Sequence, residues 1–223
     1  GQLYAVPHYN NGPGLWYRAD LLDEAGLEVP RSYDELVAVC QELQTPEIAG
    51  YVLPLPQIEQ GNINWMEHVW GYGGDLVDAD LNVVVDQGTA AADAYHRLLS
   101  YVYEDQVVPE YCLTLAQTSD AANIFANGDA VFLRMWMTSG VQFVGDDVPI
   151  KGLWDVTTLP SLDGSGPGPG CLGTWNLGIS AFSQHPEEAA EVLRFMISEE
   201  QQTFRAVGDG ALPSRIAVVD DPA

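Results

Sequence analysis

Hydrophobic positions recur along this chain with two different periods. Short apolar runs bounded by Gly, Pro or Asx residues predict strands, and longer runs with apolar residues three or four positions apart predict helices. The predicted strands lie at residues 3–6, 15–17, 51–55, 83–85, 130–133 and 153–159. The predicted helices lie at residues 18–25, 33–43, 64–72, 89–103, 119–126, 185–196 and 198–207. Because strands and helices alternate along the chain, we expect an α/β fold.

Turn and capping residues mark the ends of several elements. Gly26 is the expected stop of the first helix, and residues 32–35, SYDE, form a capping box that starts the second. Residues 8–14, HYNNGPG, are rich in turn formers and predict a loop. The helix at 89–103 is predicted to bury one stripe of residues, namely Ala92, Tyr95, Leu99 and Val102.

The stretch at residues 166–180, GPGPGCLGTWNLGIS, joins a Pro/Gly run to a short strand-like run. Glycine is favoured where another group approaches the backbone closely, and Gly170 and Gly173 bracket the approach to Trp175. We expect the chain to pass here from one lobe to another, with Trp175 facing a ligand. The alternative is a buried core strand that follows a surface loop, since buried Trp is common.

The charge of the chain restricts its partners. Thirty-two Asp and Glu residues outnumber eight Lys and Arg residues, for a formal net charge of −24. Nucleic-acid phosphates and anionic membrane surfaces would be repelled. The acidic residues are spread along the chain, and Lys151 is its single lysine. Such a composition is typical of a salt-adapted protein, because screening by salt removes self-repulsion. We therefore expect a halophile.

Membrane, metal and enzyme signatures are weak or absent in the sequence. No apolar run approaches the ~20 residues of a membrane span. The three Cys and four His residues show no metal-ligand spacing, and we predict no metal and no cofactor. No GxSxG, Walker or GxGxxG motif occurs. A carboxylate pair such as Glu59 and Glu67 leaves a glycoside hydrolase as an alternative that depends on their separation.

The aromatic residues carry the most information about function. Five of them lie near predicted strand ends or loops, namely Tyr9, Trp16, Trp65, Trp136 and Trp175. Polar neighbours of this set include Asn10, Asn11 and Arg134. Sugars have an apolar C–H face that suits flat rings and a rim of hydroxyls that suits amides and guanidinium groups. Core packing is the alternative for each ring taken singly, whereas the set favours carbohydrate binding.

Several motifs resemble one protein family. The similar segments follow one another in the order GQLYAVP, GLWYRADLLDEAGLEVPRSYDEL, HVWGYGGDLVD, IFANGDAVFLRMW, LGTWNLGISAFSQHPEEAAEVLRFM and EEQQTFRAVGDGALPSR. Together they cover essentially the whole chain. The chain resembles the family 1 extracellular solute-binding proteins of ABC importers, and GDAVFLRMW and LGTWNLGIS are most similar to the trehalose/maltose-binding proteins.

The resemblance implies a fold and a set of ligand-binding residues. The implied fold is a periplasmic-binding-protein-like, two-lobed α/β clamshell of type II that closes on a saccharide. By position, the ligand-binding residues would be Tyr9, Asn11, Trp136, Gly173, Thr174 and Trp175. Trp65 and Arg134 complete our candidate set on the grounds given above. No catalytic residue is expected.

The resemblance also implies a division of the chain and a cellular setting. Residues 1–10 would be a crossing strand from a first lobe that is largely missing, residues 11–165 the second lobe, and residues 166–223 a return segment that packs with the first lobe. We expect a monomeric, non-catalytic receptor that delivers a di- or oligosaccharide to ABC permease subunits. It would be extracytoplasmic, in the periplasm or at the cell surface, with a lipid anchor in the missing N-terminal part as one option.

Two rival functions stay open on the sequence. In the first, the same scaffold binds another polar solute, such as a polyol or glycerol phosphate, and Arg134 pairs with the phosphate of an anionic ligand. The other is a carbohydrate-active enzyme. A turnover assay on oligosaccharides separates the classes, because a receptor releases its ligand unchanged.

Salt should stabilise the folded chain. With a net charge of −24, self-repulsion is greatest at low ionic strength, where the Debye length is about 30 Å at 0.01 M and about 3 Å at 1 M. We expect the Tm to rise steadily from dilute buffer to molar KCl or NaCl in thermal melts. A flat or falling curve would contradict the assignment of the acidic surface to salt adaptation.

Overall fold

The computed structural model describes residues 3–85 and 87–219. The outermost parts of the expected segments 1–10 and 166–223, residues 1–2 and 220–223, lie outside the described residues. The strands are β1 (Val6–Asn11), β2 (Pro13–Arg18), β3 (Ala49–Val52), β4 (Ala130–Trp136), β5 (Trp154–Thr157), β6 (Gly173–Leu177) and β7 (Leu212–Pro213). The helices are α1 (Ala19–Ala25), α2 (Tyr33–Leu43), α3 (Glu59–Gly71), α4 (Ala90–Tyr103), α5 (Thr118–Ala126), α6 (Pro186–Met196), α7 (Glu199–Asp209) and α8 (Ile216–Val219). Two 3-10 helices lie at Glu110–Leu113 and Met137–Phe143.

The described residues form two compact units. The first unit contains the residues up to Gly12, residues 136–141 and the residues from Leu172 onward. The second unit contains residues 13–135 and 142–171. The sequence-based division places residues 136–141 in the second lobe, residues 11–165. In the structure these six residues belong to the first unit. This short segment leaves the second unit immediately after a buried strand.

The second unit is built on a four-stranded mixed sheet. The strand order is β3-β4-β2-β5, with β3 parallel to β4 and β2 antiparallel to β5. Every residue of β4 is buried except the last. The nearly continuous apolar sequence AVFL at its start is typical of a strand that is covered on both faces. This strand is the centre of the core of the second unit.

Two helix ends in the second unit confirm the predicted capping box at residues 32–35 and the predicted helix stop at Gly26. The Ser32 hydroxyl accepts from the backbone N–H of Glu35 at 3.1 Å, and the Glu35 carboxylate accepts from the backbone N–H of Ser32 at 3.3 Å. Both bonds of the capping box are thus present. Gly26 closes α1 with a φ of 68°, in the left-handed region that glycine adopts without strain.

The first unit is built on a three-stranded antiparallel sheet. The strand order is β6-β1-β7, and both neighbours of β1 run antiparallel to it. α7 packs near β7, and α8 lies against both of them. The central strand β1 therefore recruits both partners from the last third of the chain.

The predicted loop at residues 8–14 is wrong. Four of these residues, HYNN, continue β1, and Pro13 and Gly14 begin β2. Turn-forming residues are tolerated here because pairing with β6 and β7 supplies backbone partners that the local sequence does not reveal. Pro7 is accommodated because the register shifts between Pro7 and Tyr9, where a missing N–H is permitted.

Two further expectations in the second unit are wrong. The Val83–Val85 run forms no strand, only an isolated bridge between Val77 and Val83. The buried stripe of α4 is displaced around the helix axis, since Tyr95 is exposed. The buried residues of α4 are instead Ala94, Leu98, Tyr101 and Val102. The position of the neighbouring α3, which packs along α4, decides which face is covered.

Close packing explains two of the glycines in the Pro/Gly run, Gly168 and Gly170. The backbone N–H of Gly168 donates to the carbonyl of Leu159 at 2.7 Å. A Cβ on Gly168 would lie 2.0 Å from the carbonyl oxygen of Pro160, far inside van der Waals contact. A Cβ on Gly170 would lie 2.6 Å from Cγ of Pro13. The run therefore packs backbone against backbone within the second unit.

Gly168→Ala should destabilise the chain, because the new methyl group must displace the Pro160 carbonyl. Overpacking of this kind costs roughly 1–3 kcal/mol. Gly166→Ala is the matched control, since no atom lies within 4 Å of the Cβ that it would add. We expect the control to keep or slightly raise the stability. Equal Tm values for the two variants in thermal melts would contradict the close approach.

Candidate functional site

One face of the sheet in the first unit brings together several of the predicted ligand-binding residues. Tyr9 pairs across the strands with Trp175, and Asn11 pairs with Gly173. Residues directly opposite in an antiparallel pair, and residues two apart along a strand, share a face. The rings of Tyr9 and Trp175 are nearly parallel, with an interplanar angle of 12° and centroids 6.0 Å apart.

Trp136 joins this face at Gly173. A Cβ on Gly173 would lie 3.7 Å from Cζ3 of the Trp136 indole and 3.5 Å from the carbonyl oxygen of Asn11. The ring therefore lies in van der Waals range of a strand position that has no side chain. We call Tyr9, Asn11, Trp136, Gly173 and Trp175 the platform.

The amide of Asn11 fixes the segment that carries Trp136. Its Nδ2 donates to Oγ1 of Thr138 at 3.0 Å, and its Oδ1 accepts from the backbone N–H of Thr138 at 3.3 Å. The backbone N–H of Met137 donates to the carbonyl of Gly12 at 2.9 Å. Asn11 is buried, and its two-way bond to Thr138 shows that the amide positions the 136–141 segment. Sequence reasoning missed Thr138 because nothing local links it to a residue near the start of the chain.

Trp175 is the most exposed part of the platform. The residue is 61% exposed, whereas Tyr9 and Trp136 are half-buried. The indole of Trp175 is therefore accessible to a ligand, although other apolar side chains of the same unit, such as Phe195 and Phe204, are exposed as well. A ligand-facing Trp175 is consistent with this exposure and stays a prediction.

Thr174 lies outside the platform. Strand alternation places its side chain on the opposite face of the sheet, where Oγ1 donates to Oδ1 of Asn10 at 2.9 Å. The place of Thr174 in a ligand site stays a prediction. A run of three adjacent strand residues cannot present all three side chains to one ligand.

Arg134, which the sequence predicts to pair with sugar hydroxyls, is buried in the second unit. It is 1% exposed. Its Nε donates to Oε2 of Glu67 at 3.0 Å, and its Nη2 pairs with Oε1 of the same carboxylate. Glu67 Oε1 also accepts from the backbone N–H of Cys171 at 3.0 Å. The ion pair therefore ties α3 and β4 to the end of the Pro/Gly run.

Trp65 is likewise used for packing within the second unit. The residue is half-buried on α3, and its indole N–H donates to the carbonyl of Ala91 on α4 at 3.2 Å. α3 and α4 pack along one another. The indole thus supports the helix pair, and its place in a ligand site stays a prediction.

The Glu59 and Glu67 pair lacks the arrangement of a hydrolase dyad. Glu67 is buried and ion-paired with Arg134, whereas Glu59 is exposed at the start of α3. Their eight-residue separation corresponds to roughly 12 Å of helix rise between their backbones, and the ion pair already occupies the Glu67 carboxylate.

The described residues also bear on the sequence-based expectations for metal-binding groups, cysteines and membrane-spanning helices. No group of three metal-binding side chains occurs in residues 3–85 and 87–219. The three cysteines form no disulfide. Burial raises the pKa of Cys112 to about 12 and also raises the pKa of Cys40 and Cys171. In the same described part of the chain, no helix is long and apolar enough to cross a membrane.

The fold and the platform place the chain in a known class. The chain is similar to several solved structures. One of them is maltose-bound MalE3 of T. maritima, with a TM-score of 0.93 and 36% identity, where the match covers 100% of this chain and 57% of that chain. The GacH receptor of Streptomyces glaucescens, solved unliganded and with acarbose, gives a TM-score of 0.81 and 26% identity over 100% of this chain and 55% of that one. The fold is that of the type II periplasmic binding proteins, as predicted.

The family follows from a match to a family model. Residues 1–203 match the bacterial extracellular solute-binding protein family, and the chain belongs to that family. This confirms the resemblance read from the sequence. A probable ABC transporter-binding protein of Deinococcus radiodurans is 29% identical over 217 residues, which are 93% of this chain and 50% of that protein. The chain spans about half the length of the curated relatives that it matches.

Stability of the second unit should depend on pH through His68. This ring stacks on Tyr33 with centroids 4.9 Å apart, and Nδ1 lies 2.8 Å from the carbonyl oxygen of Asn64. Burial lowers the pKa of His68 from 6.5 to about 4, with smaller contributions from Arg97 and Arg134. The folded state therefore binds this proton less readily than the unfolded state does.

The contribution of neutral His68 to the free energy of unfolding is fully present above pH 6.5, and it is lost as the pH falls towards 4. The loss from this group should reach about 2–3 kcal/mol by pH 4.5. His68→Phe should flatten that part of the pH dependence of the free energy of unfolding, measured by denaturant titration. His96→Gln, at an exposed position of α4, controls for the removal of one imidazole. An unchanged slope in His68→Phe would contradict the assignment.

Proposed function

We propose that the protein is a carbohydrate receptor of an ABC importer and that the platform is part of its sugar site. The observation that carries the proposal is the nearly parallel pair formed by the exposed Trp175 and the half-buried Tyr9. Flat rings suit the C–H face of a pyranose. Family membership and the maltose bound by MalE3, a protein 36% identical to this chain, support the same substrate class.

The platform residues have distinct roles in this proposal. Trp175 and Trp136 stack on sugar rings, and Tyr9 extends the apolar surface. Gly173 lies in van der Waals range of the Trp136 indole, and Asn11 holds the segment that carries this indole. Two stacking tryptophans on one face favour a di- or oligosaccharide over a single sugar ring.

We further propose that the protein binds sugar without changing it. The carboxylate pair expected of a hydrolase is not assembled, because Glu67 is committed to Arg134. The receptor would act as an extracytoplasmic monomer, in the periplasm or at the cell surface, and would deliver the sugar to ABC permease subunits. Incubation with maltooligosaccharides should leave them intact, as measured by chromatography, and accumulation of shorter products would contradict this.

Trp175→Ala and Trp136→Ala in the complete protein should weaken sugar binding while both variants stay folded. Loss of stacking and of buried apolar area should reduce affinity by roughly ten- to a thousandfold, measured with maltose and trehalose by calorimetry. Trp→Phe at either position should retain part of the affinity. Trp70→Ala is the matched control, because this half-buried Trp lies on α3 in the second unit.

Core packing predicts the opposite result for the same variants. A buried Trp→Ala change costs roughly 3–5 kcal/mol of folding stability and leaves the affinity of the surviving folded protein unchanged. Thermal melts of each variant, run beside the titrations, separate the two interpretations. A stability loss of that size with wild-type affinity would remove Trp136 and Trp175 from the site.

A further inference from the structure

Arg205, on α7, lies over the ring of Tyr9. Its Cζ is 4.5 Å from the ring centroid, within the roughly 6 Å over which a cation is attracted to an aromatic face. Tyr9 is in turn the stacked cross-strand partner of Trp175. All three residues belong to the first unit. The guanidinium, the Tyr ring and the exposed indole therefore form one connected set.

α7 is fixed to β1 next to Tyr9. The buried Gln202 donates from Nε2 to the carbonyl of His8 at 3.1 Å. Its Oε1 accepts from the backbone N–H groups of Ser214 at 2.9 Å and Arg215 at 3.1 Å. Residues three apart on a helix share a face, so these bonds to Gln202 determine where Arg205 lies along β1.

The guanidinium of Arg205 is held by two further residues. Its Nη1 lies 2.8 Å from Nε2 and 3.1 Å from Nδ1 of His8. Burial, and then the charge of Arg205, lowers the pKa of His8, which favours the neutral ring that can accept this contact. Nε donates to Oδ2 of Asp209 at 3.1 Å.

We infer that Arg205 is a positioning residue for carbohydrate binding, which holds the Tyr9 ring in its orientation parallel to Trp175. The inference rests on the proposed function, since this orientation matters when a ligand stacks on the platform. A planar guanidinium covers a ring while keeping its hydrogen bonds, whereas a Lys ammonium acts as a point charge. The surface pair with Asp209 contributes little by itself, so the contacts with His8 and Tyr9 are the ones that place the guanidinium against β1.

The first test is the Kd for maltose and trehalose in the complete protein. Arg205→Gln should weaken binding measurably and by no more than roughly thirtyfold, because the loss cannot exceed the free energy of the one cation–π contact that orders the ring. Arg205→Lys should retain only part of the wild-type affinity. It replaces Arg205→Gln as the test variant if Arg205→Gln folds poorly. Arg194→Gln, at an exposed position of α6 in the same unit, is the matched control. Wild-type affinity in Arg205→Gln would overturn the inference.

A double-mutant cycle separates positioning from direct contact or general stability. If Arg205 acts through Tyr9, the effect of Arg205→Gln should disappear in a Tyr9→Leu background. An equal loss of affinity in both backgrounds would overturn the inference, because it would mean that Arg205 acts independently of the ring.

A measurement without ligand distinguishes this inference from the proposed function. Near-UV circular dichroism reports the asymmetric packing of Tyr and Trp rings, so Arg205→Gln should change the aromatic signal and Arg194→Gln should not. An unchanged spectrum would overturn the inference whether or not sugar binds. If the wild-type protein binds no sugar while the spectrum responds, the contact between Arg205 and Tyr9 is supported and the proposed function fails.

Discussion

The antiparallel pairing of β1 with β6 is the interaction on which the platform depends. It sets Tyr9 against Trp175 and Asn11 against Gly173, so four of the five platform positions follow from one register. A slip of one residue would turn these side chains to the other face of the sheet. The hydrogen bond between Asn10 and Thr174, which lie 164 residues apart, holds the same register from the opposite face.

Polar residues expected to meet a ligand also connect chain segments. Asn11 clamps Thr138, and Arg134 pairs with Glu67, whose carboxylate also holds the backbone of Cys171. A buried amide or charge must be paired, and the donors that suit sugar hydroxyls suit backbone and carboxylate partners equally well. The aromatic rings are the residues that stay available on the platform, because their exposed faces require no hydrogen-bond partner.

Close backbone approach requires glycine at one position of the Pro/Gly run and not in the strand that follows. A Cβ on Gly168 would collide with the Pro160 carbonyl, whereas a Cβ on Gly173 would make ordinary van der Waals contact with the Trp136 indole. Neither position has the positive φ that otherwise calls for glycine. Gly168 therefore serves the packing of the second unit, and the platform has space for a small side chain at Gly173.

The sequence by itself determined the features that depend on near neighbours. Gly26 and the Ser32–Glu35 capping box end and start helices through bonds within a few residues, and the motif order identified the family. Only the tertiary structure decided that HYNN is a strand, which face of α4 is buried, that the Thr174 hydroxyl bonds to Asn10 and that Arg134 is buried. Those outcomes depend on partners far along the chain, and a local pattern of turn formers or apolar residues carries no information about which partner will pair with it.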